Sequence, residues 1–364
     1  MQQLFALPEK RNKPVILGTD WHTDCDDAVA IRVLAWYHWK GAVQLLGVSI
    51  DSAMECSVAS MKRFLSHERL EVPVGLDHSA YDYGGEVRYQ RQLADGMDWA
   101  AENRNCEEAV HLYRRLLAGA AEPVELIEIG FLQVLEALLD SGPDDVSELN
   151  GRELVSRKVS KLWVMGGRWD RTDYAEFNFS RTERARKAAH RVLEDWPTAI
   201  TLLGWETAAT VFSGDILKTS CNWQDDLKDI LHHHGAEDGR PSWDPLLVYL
   251  ACVGDETRAG FRTVRGRAFV DETTGCSRFA EDPGGRHCYV VKMNTDAQYG
   301  ETLNRLILDY ALHLRQTKLT SDPMLEYTFR KGEKRNEEND EKSPAADIGF
   351  ATVGVRPSVM RKRR

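Results

Sequence analysis

Short apolar runs alternate with amphipathic stretches through the first two hundred residues, and this alternation limits the fold more than any other feature of the sequence. Residues 15–17, 43–50, 72–75, 124–129, 159–165 and 199–203 read as strands. Between them, residues 28–39, 55–65, 107–117, 132–139 and 182–193 read as helices; in the second of these, Val58, Met61 and Leu65 share one face. The pattern predicts an α/β fold: a mostly parallel central sheet flanked by helices, with a Rossmann-like core. Such sheets bind ligands beyond the carboxyl ends of their strands. Polar clusters stand at those ends: residues 18–27, Asp51, Gly130 and residues 166–178.

The last third reads differently. Residues 245–253 and 296–314 are helical in pattern, and strands at 261–270 and 287–293 bracket Gly275 and Pro283-Gly284-Gly285. This predicts a small antiparallel appendage near the C-terminus. The expected organisation is one domain over residues 1–316, followed by a charged, flexible tail over 317–364, where residues 330–342 are dominated by charge and the chain ends Arg361-Lys362-Arg363-Arg364.

With 364 residues, 42% of them apolar, the chain has material for a sizeable core. A formal charge of -10 argues against a nucleic-acid partner. The seven cysteines form no CxxC pair, the pattern of a reduced, cytoplasmic protein. The N-terminal segment lacks the apolar run of a signal peptide. No run approaches the ~18 apolar residues of a membrane span, so no membrane partner is expected.

Asp20, Asp24, Asp26 and Asp27 put four carboxylates within eight residues on the loop after the first strand. They repel one another, so without a cation some must take up protons or the loop must splay. A hard divalent ion removes the conflict, because calcium and magnesium take oxygen ligands. Capping of the following helix accounts for Asp26 or Asp27 but not easily for Asp20 at the strand end. Spacing alone leaves both readings open. Cys25, inside the loop, reads as a small buried filler, since oxygen-seeking metals rarely take a thiolate.

Thr19-Asp20-Trp21-His22-Thr23-Asp24-Cys25-Asp26-Asp27-Ala28-Val29-Ala30 resembles the N-terminal signature of the nucleoside hydrolase family, above all a divergent branch with a D-C-D-D-A segment. Val164-Met165-Gly166-Gly167, Ala175-Glu176-Phe177-Asn178 and Ser242-Trp243-Asp244-Pro245 are similar to further family segments, in the family's order. The resemblance implies hydrolysis of the N-glycosidic bond of a ribonucleoside or related N-riboside, a water held on a divalent cation attacking the anomeric carbon. It implies Ca2+ as that cation, with Asp20, Asp27, Asp244 and the Ile129 carbonyl as ligands and Asp20 as general base. It implies Asp26, Glu176, Asn178 and Asp244, and more loosely Asp51, as groups that hold the sugar. A homodimer or homotetramer is expected on the same ground.

The chain departs from the family pattern at Gly18, at Trp243, at Gly130-Phe131-Leu132-Gln133-Val134 where relatives have a G-P-L-T-N turn, and at Arg181-Thr182 where a D-P is frequent. Gly18 stands where most relatives have an aspartate. Trp243 stands where many have the histidine that serves as candidate acid for the leaving base; its catalytic contribution here would be stacking on a purine, which raises the basicity of the ring, or it simply packs the wall. His22, His78 and His232-His233-His234 are other candidate acids. Trp169, Trp205, Tyr81 and Tyr83 lie near predicted site loops. Two rival functions stay open: a non-catalytic sugar- or nucleoside-binding relative, and a phosphatase of the haloacid dehalogenase type, which needs a nucleophilic aspartate where this chain has Gly18.

Overall fold

In β1 (Lys13–Thr19), Val15 and Leu17 enter one hydrophobic core while Ile16 enters another. The same alternation recurs in β5 (Val124–Glu128), where Ile127 and Leu126 part company, and in β6 (Val159–Met165), where Trp163 and Met165 face one way and Leu162 and Val164 the other. A strand whose successive side chains both find apolar partners must be covered on both faces. The first face carries helices Asp26–Trp39, Ser57–His67, Trp243–Val253 and Asp296–Ser321; the second carries Ala109–Gly119, Gln133–Asp140, Gly151–Lys158 and Glu183–Asp195. Each fully buried aliphatic side chain in these layers contributes about 1.5–3 kcal/mol.

The computed structural model describes residues 12–321. Its other strands are β2 (Val43–Ile50), β3 (Val74–Leu76), β4 (Glu107–Glu108), β7 (Ala199–Leu203), β8 (Phe212–Ser213), β9 (Arg240–Pro241), β10 (Phe261–Val270), β11 (Ser277–Glu281) and β12 (His287–Lys292). Ten of them form one sheet in the order β11-β10-β12-β7-β6-β5-β1-β2-β3-β4, while β8 and β9 form a separate antiparallel pair. From β1 the chain steps outward through β2, β3 and β4, then returns to β5 on the other side of β1 and steps outward through β6 and β7. The order therefore reverses between β1 and β5, and a crevice opens beyond their carboxyl ends.

The antiparallel appendage expected near the C-terminus is formed by β10, β11 and β12; β12 also pairs in parallel with β7, so these strands extend the main sheet and cover the edge that β7 would otherwise expose.

Helices Asp26–Trp39 and Trp243–Val253 pack together in the first core and are buried along nearly their whole length. Their N-termini both reach the crevice. The described residues through Leu314 form one compact unit. Helix Asp296–Ser321 runs past the boundary expected at 316, and the rest of the expected tail lies outside the described residues. All seven cysteines are free. No helix among the described residues is long and apolar enough to cross a membrane.

Candidate functional site

Asp20 leaves β1 and enters a loop held from several sides. Trp21 takes a left-handed backbone (φ 44°), rare for a large side chain, and is fully buried. Its indole N–H donates to Ser60 Oγ at 2.8 Å, and its ring stacks on Phe64 and meets Tyr89 edge-on. Gln90 donates to the Trp21 and His22 carbonyls, and Tyr89 donates to the Asp24 carbonyl at 2.9 Å. The loop is thereby fixed before any ligand arrives.

Around it opens a cavity of about 250 Å³, lined by Asp20, His22, Asp24, Asp26, Asp27, Ile129, Met165, Glu176, Phe177, Asn178, Trp205, Arg240, Trp243 and Asp244, among others. Carboxylate oxygens of Asp26, Asp27 and Asp244 lie within 4.8 Å of one another, and all three residues are buried. Asp26 and Asp27 come from the first turn of helix Asp26–Trp39, and Asp244 from the first turn of helix Trp243–Val253. The Asp244 N–H donates to Asp26 Oδ2 at 3.4 Å, which ties the two turns together. Thr19 Oγ1 and the Trp21 N–H donate to Asp27 Oδ1, and the His22 N–H donates to Asp20 Oδ1.

Burial raises every one of these acids. Asp20 is pushed up to about 7, by desolvation first and by the Asp26 charge second. Asp26, Asp27 and Asp244 are raised well above the usual carboxylate range, again by burial first and then by neighbouring aspartates. Arg240, the cation on the cavity wall, is paired with Asp24 instead. Arg240 offsets part of the Asp26 charge, and the donor set of hard oxygens suits a divalent cation. Asp20 is not one of the three carboxylates within 4.8 Å of one another, although it lies in hydrogen-bonding reach of Asp27.

Glu176 and Asn178 sit where a loop enters the short helix Phe177–Ser180. Glu176 caps the short helix Phe177–Ser180, accepting from the Gly167, Asn178 and Phe179 amides at 3.0–3.3 Å. Burial pushes its carboxyl up to about 7. Asn178 Nδ2 donates to the Ile129 carbonyl at 3.2 Å and the Met165 carbonyl at 3.1 Å. Asp51, expected at the sugar, lies behind the wall: its Oδ2 accepts from the Phe131 N–H at 2.9 Å, and a side chain at Gly130 would collide with it. The Gly130 turn admits Asp51 to the back of the site and so keeps it from the front.

Trp243 lines the cavity, but its indole N–H donates to the Trp205 carbonyl at 3.1 Å, so what it offers is a ring face. It stacks at 6.2 Å on Trp205, also on the wall. Among the histidines, His22 alone lines the cavity. Its Nε2 faces the Gly84 carbonyl, which only accepts, so Nε2 carries the proton and Nδ1, buried and unpartnered, is an acceptor. Burial holds its pKa below the ordinary value, which opposes a role as acid. His78 bonds the Cys106 carbonyl, and His232 and His233 are solvent-exposed. Trp169 packs among Phe179, Phe279 and Tyr289, Tyr83 stacks on Phe131, and Tyr81 is exposed. Cys25 is fully buried with its thiol pKa raised by burial, as a filler would be.

Sequence reading missed Glu128 and Arg240. Glu128 ends β5 like an ordinary edge acid; the pairing of β1 with β5 sets it beside Gly18. Arg240 reaches the cavity through β9, too short to carry a period.

A family model described as inosine-uridine preferring nucleoside hydrolase matches residues 15–320. An uncharacterized protein of Aquifex aeolicus is 24% identical over 179 residues, which is 48% of this chain and 57% of that relative's length. Among solved structures, an inosine-uridine preferring nucleoside hydrolase from Bacillus anthracis aligns at TM-score 0.56 and 18% identity, over 81% of this chain and 99% of that one. An inosine-guanosine nucleoside hydrolase aligns at 0.60 and 15%, over 81% and 98%. A type III effector protein XopQ, solved with adenosine diphosphate ribose, aligns at 0.60 and 15%, over 83% and 95%. At these identities the structural likenesses speak to fold alone. The match of the family model over nearly the whole described chain settles the classification: this protein belongs to the inosine-uridine preferring nucleoside hydrolase family.

Proposed function

We propose that this chain hydrolyses the N-glycosidic bond of a ribonucleoside or related N-riboside in the cavity at the β1–β5 crevice, with a bound Ca2+. The observation that carries the reading is the meeting of Asp26, Asp27 and Asp244 from two buried helix N-termini, where Arg240, paired with Asp24, offsets only part of the charge, in a chain of this family. Asp27, Asp244, Asp20 and the Ile129 carbonyl would hold the cation. When bound, it would lower the pKa of a water and orient it, and would help fix the sugar hydroxyls.

The chain's own residues do the rest. Asp20, with a pKa near neutrality in the unliganded site, accepts the proton of the attacking water at a carboxylate oxygen. Asp26, Asp244, Glu176 and Asn178 grip the ribose hydroxyls and hold the ring for attack. The acids around the ring stabilise the positive charge that grows on the sugar as the bond to the base breaks. Trp243 and Trp205 present ring faces on which a flat leaving base can stack.

The test is purified chain with inosine, uridine and guanosine, scored for free ribose and base, with and without chelator. Release that needs Ca2+ and falls at least ~10²-fold in Asp20→Ala is expected. Intact nucleosides under all conditions would defeat the hydrolase reading. Neither Trp243, its indole N–H spent, nor His22, its pKa lowered, serves as the leaving-group acid, which leaves only carboxyls already assigned to the cation and the sugar and favours one second reading: a binding protein without turnover. Ribose affinity by calorimetry with no product by chromatography would establish it. Cytoplasmic location and assembly as a homodimer or homotetramer belong to the same proposal; light scattering after gel filtration tests the assembly.

A further inference from the structure

Behind the cavity, β1 and β5 pair so that Gly18 stands opposite Glu128. A Cβ at position 18 would fall inside contact distance of the Glu128 carboxyl, so that carboxyl occupies the space a side chain at 18 would fill. Glu128 is 1% exposed. Its Oε1 accepts from the Gly130 N–H at 3.3 Å, and its carboxyl lies within hydrogen-bonding reach of Asp51. Asp51 in turn accepts from the Phe131 N–H at 2.9 Å and donates its own N–H to the Thr19 carbonyl at 3.0 Å. The Ile129 N–H donates to the Gly18 carbonyl at 2.9 Å. Glu128 and Asp51 together therefore receive the two amides that follow Ile129, the residue whose carbonyl faces the cavity, and Asp51 is tied to the residue before Asp20. A buried carboxyl with this many ties to one turn is more than a tolerated strand-end acid, because its desolvation would otherwise favour a neutral residue.

We propose that Glu128 is a positioning residue for the cation site, bracing the Ile129–Phe131 turn and, through Asp51, the start of the Asp20 loop from the place left open by Gly18. This rests on the cation reading above. Groups that orient a site from behind typically change metal affinity 10- to 100-fold when removed.

The test is Ca2+ affinity of the whole chain by calorimetry, with chelated melting temperatures as the folding control. Glu128→Ala is expected to weaken Ca2+ binding ~10-fold or more while the cation-free chain still melts cooperatively. Glu128→Gln, which keeps the shape and can donate to Asp51, should stay within ~3-fold of the parent. Gly18→Asp in the Glu128→Ala background returns a carboxyl to the same space from the opposite strand and should recover affinity. If Glu128→Ala does not fold, the double variant decides: Ca2+ binding supports the bracing role, and its loss overturns it. Parental affinity in Glu128→Ala overturns this proposal alone. A parent chain that binds no divalent cation overturns the cation reading and this proposal with it.

Discussion

Replacing Asp244 by asparagine should make the cation-free protein more stable, the reverse of the usual effect of a change at a buried position. Asp244 is 5% exposed, and burial together with Asp26, Asp27 and Asp20 raises its pKa well above the ordinary 3.8. In the unfolded chain it is ionised at neutral pH. Folding must then either protonate it or bury its charge beside three others. Protonation costs about 1.4 kcal/mol per pH unit above 3.8, so the ceiling at pH 7 is about 4 kcal/mol, and relaxation of the loop reduces it to about 1–4 kcal/mol. The sign fixes the pH window. A carboxyl with a raised folded pKa contributes stability below its unfolded value and loses that contribution as pH rises, so the advantage of Asp244→Asn should be near zero at pH 4 and grow toward pH 8. Thermal unfolding in chelator should show it as a gain of about 2 °C per kcal/mol. Saturating Ca2+, at 100 times its dissociation constant, should stabilise the parent by about 2.7 kcal/mol and the variant by far less. An Asp244→Asn chain no more stable than the parent at pH 8, or one that gains as much from Ca2+, would refute the argument.

Three other perturbations follow from the same geometry. Glu176 has its pKa raised from 4.5 to about 7, so the cation-free chain should lose stability as pH rises from 4.5 through 7; Glu176→Gln should flatten part of that slope in calorimetry, and an unchanged slope would contradict it. Asn178→Ala removes the side-chain donor to the Ile129 and Met165 carbonyls and a proposed grip on the sugar, so ribose affinity should fall about 10-fold, and unaltered binding would discredit that role. Arg32→Met strands Glu68 and Asp225, both buried, and should cost about 3–5 kcal/mol in urea unfolding; a loss under about 1 kcal/mol would show that the two acids find other partners.

The fold was legible where a physical period reached the sequence. Val15-Ile16-Leu17 could be read as a strand because both faces need apolar cover, and helix Glu183–Asp195 because its apolar side chains recur every three to four residues. The cluster at Asp20, Asp24, Asp26 and Asp27 could be read because like charges so close in sequence need an explanation. What could not be read depended on register and backbone. Glu128 meets Gly18 through one pairing out of several that β1 and β5 could make, and a shift of one residue would turn Glu128 to the other face of the sheet. Asp51 was expected at the sugar because the resemblance sets it, loosely, where the family has an asparagine that touches the sugar. The close approach that Gly130 allows puts it behind the wall. The last strands were legible as an antiparallel appendage because turn residues mark where a hairpin bends; which open edge it joins, that of β7, they do not mark.

Two buried acid clusters in this one chain show why the cavity reads as a ligand site and not as a structural defect. Glu68 and Asp225 lie on the same helical layer as the site, almost wholly buried, and Arg32 reaches both: Nε and Nη2 to Glu68 at 2.6 and 2.7 Å, and Nη2 to Asp225 at 3.1 Å. Arg32 offsets part of their charge inside the protein, and Asp225, buried though it is, keeps a pKa below the ordinary value, burial being outweighed by Arg32. At Asp20, Asp26, Asp27 and Asp244 the burial is similar but the shift runs upward, because the neighbours are other acids and Arg240 is turned to Asp24. The same sequence therefore contains the device that neutralises buried carboxylates and does not use it here. By the argument made for Asp244, ionised acids held here without a cation cost the folded chain stability. Retaining four acids, on a loop held by a strained Trp21, is consistent with a site whose missing positive charge arrives with what it binds. A cation would answer that need in the resting protein, and under the proposed reaction the positive charge that develops on a sugar ring would answer it again during bond cleavage.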